Sequence, residues 1–133
     1  MNLENREKSS HDNKSILLES VSENLKNTTY KYFPFSHWIF DKVFPKIIID
    51  ELLKLPFEAP KIEHYTGKRE SNNQTRVFFN KENCEKFKVI NDVVKVFNNS
   101  KIIDQLENIC GRNLTKGKLR IEYTMDTGDF WLE

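Results

Sequence analysis

The chain has little cysteine, almost no net charge and no long apolar run, and each shortage excludes something. Only Cys84 and Cys110 occur in 133 residues. A disulfide framework or a zinc site needs more sulfur or closer ligands than that. The two cysteines can pair, but both fall on the apolar faces of expected helices. There a free cysteine behaves as a small buried hydrophobe, so two reduced thiols are expected. Lys and Arg total 21 against 20 Asp and Glu, for a net charge of +1. Splitting the chain at Thr66 gives 9 basic and 10 acidic residues before Gly67, then 12 and 10 after it. Neither half is a basic arm or an acidic tail, so nothing in the charge points to nucleic acid or an anionic membrane. The longest apolar stretches, such as Ile47-Ile48-Ile49, are interrupted by charge far short of the roughly 20 residues a membrane span requires. The start, MNLENREKSSHDNK, lacks the apolar core of a secretory signal. A cytoplasmic location and no membrane partner are therefore expected. Sequons such as Asn27-Thr28-Thr29 and Asn73-Gln74-Thr75 then read as chance in an Asn-rich chain.

What is present suits one domain with a real core. Residues 1–14 are polar and charged, and are expected to be a disordered arm, with the domain proper over 15–133. Ile16, Leu17, Leu18, Val21 and Leu25 recur at helical spacing up to Asn27. Residues 30–44 are aromatic-rich, with Tyr30, Tyr32, Phe33, Phe35, Trp38, Phe40 and Phe44, and a strand is expected from Trp38 to Val43. Pro45 suits a first helical turn, and Ile48, Ile49, Leu52, Leu53 and Leu55 continue on one helical face until Pro56 stops it. Residues 56–74 read as loop, with one short strand near Ile62–Tyr65. Thr75–Phe79 reads as a strand.

Cys84, Phe87, Ile90, Val93, Val94 and Phe97 form a helical stripe beginning near Asn83 and broken by Asn98-Asn99-Ser100. Ile102, Ile103, Leu106, Ile109 and Cys110 form a second stripe, and Gly111 stands where a left-handed C-terminal cap belongs. The period then changes to two. Leu119, Ile121, Tyr123 and Met125 alternate with Arg120, Glu122, Thr124 and Asp126, the pattern of a half-buried strand. Asp126-Thr127-Gly128-Asp129 is turn material, and Phe130-Trp131-Leu132-Glu133 opens another strand. An open sheet edge bearing Phe130 and Trp131 is an association hazard. Either further strands follow, or this strand closes a small α+β domain.

From Phe33 onward the order of these elements resembles the N-terminal half of the Fe(II)- and 2-oxoglutarate-dependent oxygenases, in particular their prolyl-hydroxylase-like branch. The residues that carry the likeness are the aromatic strand FSHWIFDKVFP running into a helix, the strand Thr75–Phe79, two helices of which the second ends KIIDQLENICG, the strand Leu119–Met125, and the stretch TGDFWLE. In the family that last stretch directly precedes a strand carrying a His-x-Asp iron motif. The resemblance implies a double-stranded β-helix, or jelly roll, with helices on one side of an antiparallel sheet. It implies Fe(II) held on one face by two His and a carboxylate, 2-oxoglutarate as cosubstrate, and hydroxylation of a substrate. The substrate would be a prolyl residue of a protein, a small molecule or a saccharide.

The histidines depart from that pattern. His11, His37 and His64 each lack an acid two residues later. These residues alone are therefore expected neither to bind Fe(II) nor to hydroxylate, and any iron ligands would lie after Glu133. Two residues are candidates for the cosubstrate. Arg120 lies on the polar strand face, which either lines a cosubstrate cavity or is an ordinary salt-bridged face. The Tyr123 hydroxyl, as the resemblance implies, approaches 2-oxoglutarate, or else Tyr123 is a core aromatic. Trp131 either shapes a pocket mouth or fills a layer between sheet and helices, and His37 and His64 are either substrate contacts or structural. The rival reading is a complete, non-catalytic α+β binding module whose aromatic segment Tyr30–Phe44, with Phe130-Trp131, meets a partner.

Overall fold

The computed structural model describes residues 3–58 and 76–124. It is an α+β arrangement in which, among the described residues, five helices accompany two antiparallel strand pairs. Helix α1 is Leu3–Leu25, the pair β1 and β2 is Thr29–Lys31 with His37–Ile39, and α2 is Lys46–Leu53. Strand β3 is Val77–Phe78. Three helices follow, α3 at Lys81–Lys86, α4 at Lys88–Phe97 and α5 at Ser100–Cys110, and then β4 at Glu122–Tyr123.

The core is a helix–helix core. Leu17, Val21 and Leu25 of α1, Ile48 of α2, Val89, Ile90, Val93 and Val96 of α4, and Ile102 of α5 are all buried in one cluster. The spacing explains the packing. Leu17, Val21 and Leu25 stand four apart, so they share one face of α1, and Val89, Ile90, Val93 and Val96 make the matching stripe on α4. Each such side chain contributes on the order of 1.5–3 kcal/mol when fully buried. Polar links fix how the helices meet. The Gln105 side-chain amide donates to the carbonyl of Ser22 at 2.9 Å, the Ser20 hydroxyl donates to the carbonyl of Val43 at 2.9 Å, and the Asn13 amide donates to Glu51 at 3.1 Å. The buried carboxylate of Asp92 is held by Lys88 one turn earlier.

Several boundaries differ from the sequence expectations, each for a physical reason. The backbone of α1 begins at Leu3, inside the segment expected to be a disordered arm, well before the apolar pattern starts. A helix nucleated by packing can propagate into polar residues one hydrogen bond at a time. The strand expected at Trp38–Val43 is His37–Ile39. Lys42 has φ 53°, a left-handed turn that ends the extended run and aims the chain at Pro45, which caps α2 from just outside it. The single helix expected from Asn83 to Phe97 is two helices. Phe87 is extended (φ −126°, ψ 111°), and its ring packs edge-on to Phe57 at 5.4 Å, so tertiary contact interrupts the helical run. The second stripe is as expected: α5 ends at Cys110, and Gly111 adopts φ 63° and donates its N–H to the carbonyl of Glu107.

The expected α+β class is what these residues build, as two separate antiparallel strand pairs with helices; a jelly roll is not shown among them. Among the described residues β1 pairs only with β2 and β3 only with β4, and the helices pack mainly on one another. Of the strand expected over Leu119–Met125, the described residues form Glu122–Tyr123; Leu119 and Arg120 are exposed, and Met125 lies outside the described residues. The expected strand at Ile62–Tyr65, His64, the Asp126–Asp129 turn, and the Phe130–Leu132 strand with Trp131 lie outside the described residues. No described helix is long and apolar enough to cross a membrane.

Candidate functional site

The residues singled out for cosubstrate binding lie on the β3–β4 ladder, where the register is Val77 opposite Tyr123 and Phe78 opposite Glu122. One further bond, from the N–H of Phe79 to the carbonyl of Ile121 at 2.9 Å, extends the pairing. Alternation along β4 separates two faces, as expected from the period of two. On the apolar face Ile121 packs against the helical core, and Tyr123 stacks edge-on against Phe57 at 5.5 Å. Phe57 in turn meets Phe87, so Tyr123 ends a run of three aromatic rings. It is a packed, half-buried aromatic.

The other face is polar and already paired. Arg120 donates from Nε to Glu122 Oε1 at 2.8 Å, and Arg76 donates from Nη1 to Glu122 Oε2 at 2.9 Å. The Arg120 guanidinium also lies 5.8 Å from the centre of the Phe78 ring. One carboxylate, its side chain 17% exposed, is thus held between two guanidinium groups from adjacent strand segments. This arrangement is chemically able to hold a carboxylate, and the carboxylate it holds is its own. A ligand anion would have to displace Glu122, because charge-assisted bonds of this length are strong and occupy the Nε of Arg120. The sequence pattern did not single out Arg76. Its part depends on the β3–β4 register, which joins residues 46 apart, and no local pattern discloses that.

Among the described residues His37, Cys84 and Cys110 belong to no metal-holding cluster. His37 contacts the carbonyl of Phe35 through Nδ1 at 2.8 Å, and since a carbonyl only accepts, that nitrogen carries the proton. Cys84 and Cys110 are free thiols, both half-buried. Burial pushes the Cys84 thiol above its ordinary range, and nearby Glu85 adds to this while Lys95 opposes it, so Cys84 is not an activated nucleophile. Among the described residues no three His, Cys, Asp or Glu side chains group closely enough to hold a metal ion. The described residues therefore do not fit an iron centre, and no chemical step is assigned to one.

Two other surface features remain. A cleft of about 380 Å³ between α1 and the start of α5 is lined by Ser15, Glu19, Ser22, Glu23, Lys26 and Lys101, with Leu18 at its wall. Its charges are of both signs, and Lys26 pairs with Glu23 at 3.0 Å, so it presents no single charge to a ligand. The β1–β2 hairpin is the opposite case. Its loop leaves Tyr32, Phe33 and Phe35 largely bare. No protein-family model, curated protein or solved structure matches this chain.

Proposed function

We propose that this chain is the N-terminal scaffold portion of an Fe(II)/2-oxoglutarate-dependent dioxygenase. The observation that carries the reading is the order of elements. An aromatic strand (β2), a Pro-led helix (α2), a strand (β3), a helical region ending at a left-handed glycine (α3 to α5, then Gly111) and a strand (β4) follow one another as the resemblance implies. The antiparallel pairing of β3 with β4 supports it further. In this reading these are early strands of a double-stranded β-helix, and α4 and α5 are its helical support.

The role of these residues is then architectural. They hold β4 against β3 and back both with a helical core, while the iron ligands belong to residues following Glu133. Arg120 and Tyr123 are the residues assigned toward 2-oxoglutarate. Arg120 meets a ligand carboxylate only by exchanging Glu122 for it. Tyr123 is held by Phe57, which would keep a hydroxyl at a fixed place on the strand.

Reading the coding region past Glu133 tests the proposal. A His-x-Asp motif within a few codons is expected. A frame that stops, or continues without that motif, overturns it. In a chain that carries the motif, succinate should form from 2-oxoglutarate only with added Fe(II).

A further inference from the structure

The β1–β2 hairpin holds the largest exposed aromatic group in the described residues. Tyr32 is 80% exposed, Phe33 77%, Phe35 68% and Tyr30 54%. Side chains this bare stand on a convex tip, which gives a small molecule no walls to enter. The tip is nevertheless held in shape. Tyr30 packs against its cross-strand partner Trp38 at 5.4 Å, the Tyr30 and Ser36 hydroxyl groups lie 3.0 Å apart, and His37 is tied to the carbonyl of Phe35. A partner therefore meets a surface whose ordering cost is already met within the chain.

We propose that this hairpin is the interface of a homodimer, with the tip of one copy packed against the tip of a second in a two-fold contact. The exposed area is the first argument. At ~200 Å² for an aromatic side chain, the four residues offer on the order of 550 Å² per copy. Full cover of that surface on two copies amounts to at most roughly 1,100 Å² before Pro34 and Ile39 are counted, close to the ~1,000 Å² of a small specific interface. Charge is the second. From Tyr32 to Phe40 the sequence carries no formal charge, with His37 neutral, and the charges that bracket it, Lys31 and Asp41, are of opposite sign. Two copies meet there without like-charge repulsion, whereas a polyanion finds no cation to grip at the tip. The third is backbone pairing. Among the described residues β1 and β2 each have a neighbour on one side only, so hydrogen-bonding groups face outward beside the aromatics. A self-complementary patch meeting its own copy closes after two subunits.

Sedimentation equilibrium on a polypeptide of these 133 residues tests this. The expected mass is twice 15.8 kDa, with micromolar dissociation, as suits an interface at the small end of the specific range. The double variant Phe33→Ser/Phe35→Ser should weaken association at least ~100-fold, the effect of losing two central aromatic anchors, with an unchanged circular dichroism spectrum. Leu53→Ser, at another exposed apolar site on α2, should leave the dimer intact. A single-chain mass at ~100 μM, a concentration well above a micromolar dissociation constant, overturns the proposal. So does an open-ended series of larger species, or an equal loss of association in the Leu53 variant. None of these results bears on the oxygenase reading, which stands or falls on the residues after Glu133.

Discussion

The helical core and the two strand pairs both draw on large apolar side chains, yet they use them in opposite ways. In the core, Leu17, Val21, Ile48, Ile90 and Ile102 show no exposed surface. In the β1–β2 hairpin, equally large side chains stand in solvent, and in the β3–β4 pair an arginine–glutamate–arginine cluster occupies one face. Stability is therefore concentrated in α1, α4 and α5, while the surfaces available for recognition are concentrated on strands. A two-stranded ladder is marginal by itself, and the β3–β4 pair leans on the helical core through the flanking Phe79 and Ile121.

That division can be broken or sharpened by substitution. The largest effect belongs to the core. Ile90→Ala should lower unfolding free energy by about 2–5 kcal/mol, measured by urea denaturation. The exposed pair Phe33→Ser/Phe35→Ser should change it by less than about 0.5 kcal/mol at dilute, monomeric concentration. Equal costs at the two places would end the distinction between a stabilising core and a recognition surface.

The β3–β4 cluster should fall between these. Glu122→Ala leaves two guanidinium groups without their carboxylate, Arg76 being the less exposed of them. A loss of about 1–2 kcal/mol is expected. Arg120→Ala should cost less than Arg76→Ala, because Arg120 is 63% exposed on its side chain and Arg76 27%. The reverse order would mean that the contact of Arg120 with Phe78 outweighs the ion pair.

Smaller still is the cap of α5. Gly111 sits at φ +63°, and a Cβ added there would meet no atom within 4 Å, so Gly111→Ala introduces only backbone strain. The cost should be about 1 kcal/mol, again read by urea denaturation, and Gly111→Asn should recover part of it because asparagine tolerates the left-handed region. The smallest effect is chemical. Burial raises the Cys84 pKa, so its alkylation by iodoacetamide should require higher pH than that of an unstructured cysteine peptide, and the difference should vanish in urea.

Local patterns foretold much of this. The stripe Ile102, Ile103, Leu106, Ile109, Cys110 followed by Gly111 defined α5 and its cap because a helix repeats every 3.6 residues and glycine takes positive φ freely. The alternation around Tyr123 separated the faces of β4 for the equivalent reason of a two-residue repeat. The break at Phe87 escaped that logic, since an aromatic on a helical stripe looks the same whether its backbone is helical or extended. The candidate site was legible only in part. Arg120 and Tyr123 were visible as members of opposite faces, and Glu122 stood beside Arg120 on the polar one. That Arg76 completes the cluster was not visible, because it arrives from a strand whose register no nearby residue sets.

Composition and periodicity by themselves determined the helical stripes, the turn at Gly111 and the near-zero net charge, because each depends on residue identities alone or on residues within a turn or two of one another. The tertiary structure decided which apolar side chains are covered and which are left bare, where the run from Asn83 to Phe97 divides, and that Arg76 and Arg120 share Glu122. Those outcomes rest on contacts between residues far apart in the chain, whose energies exist only once the helices have packed.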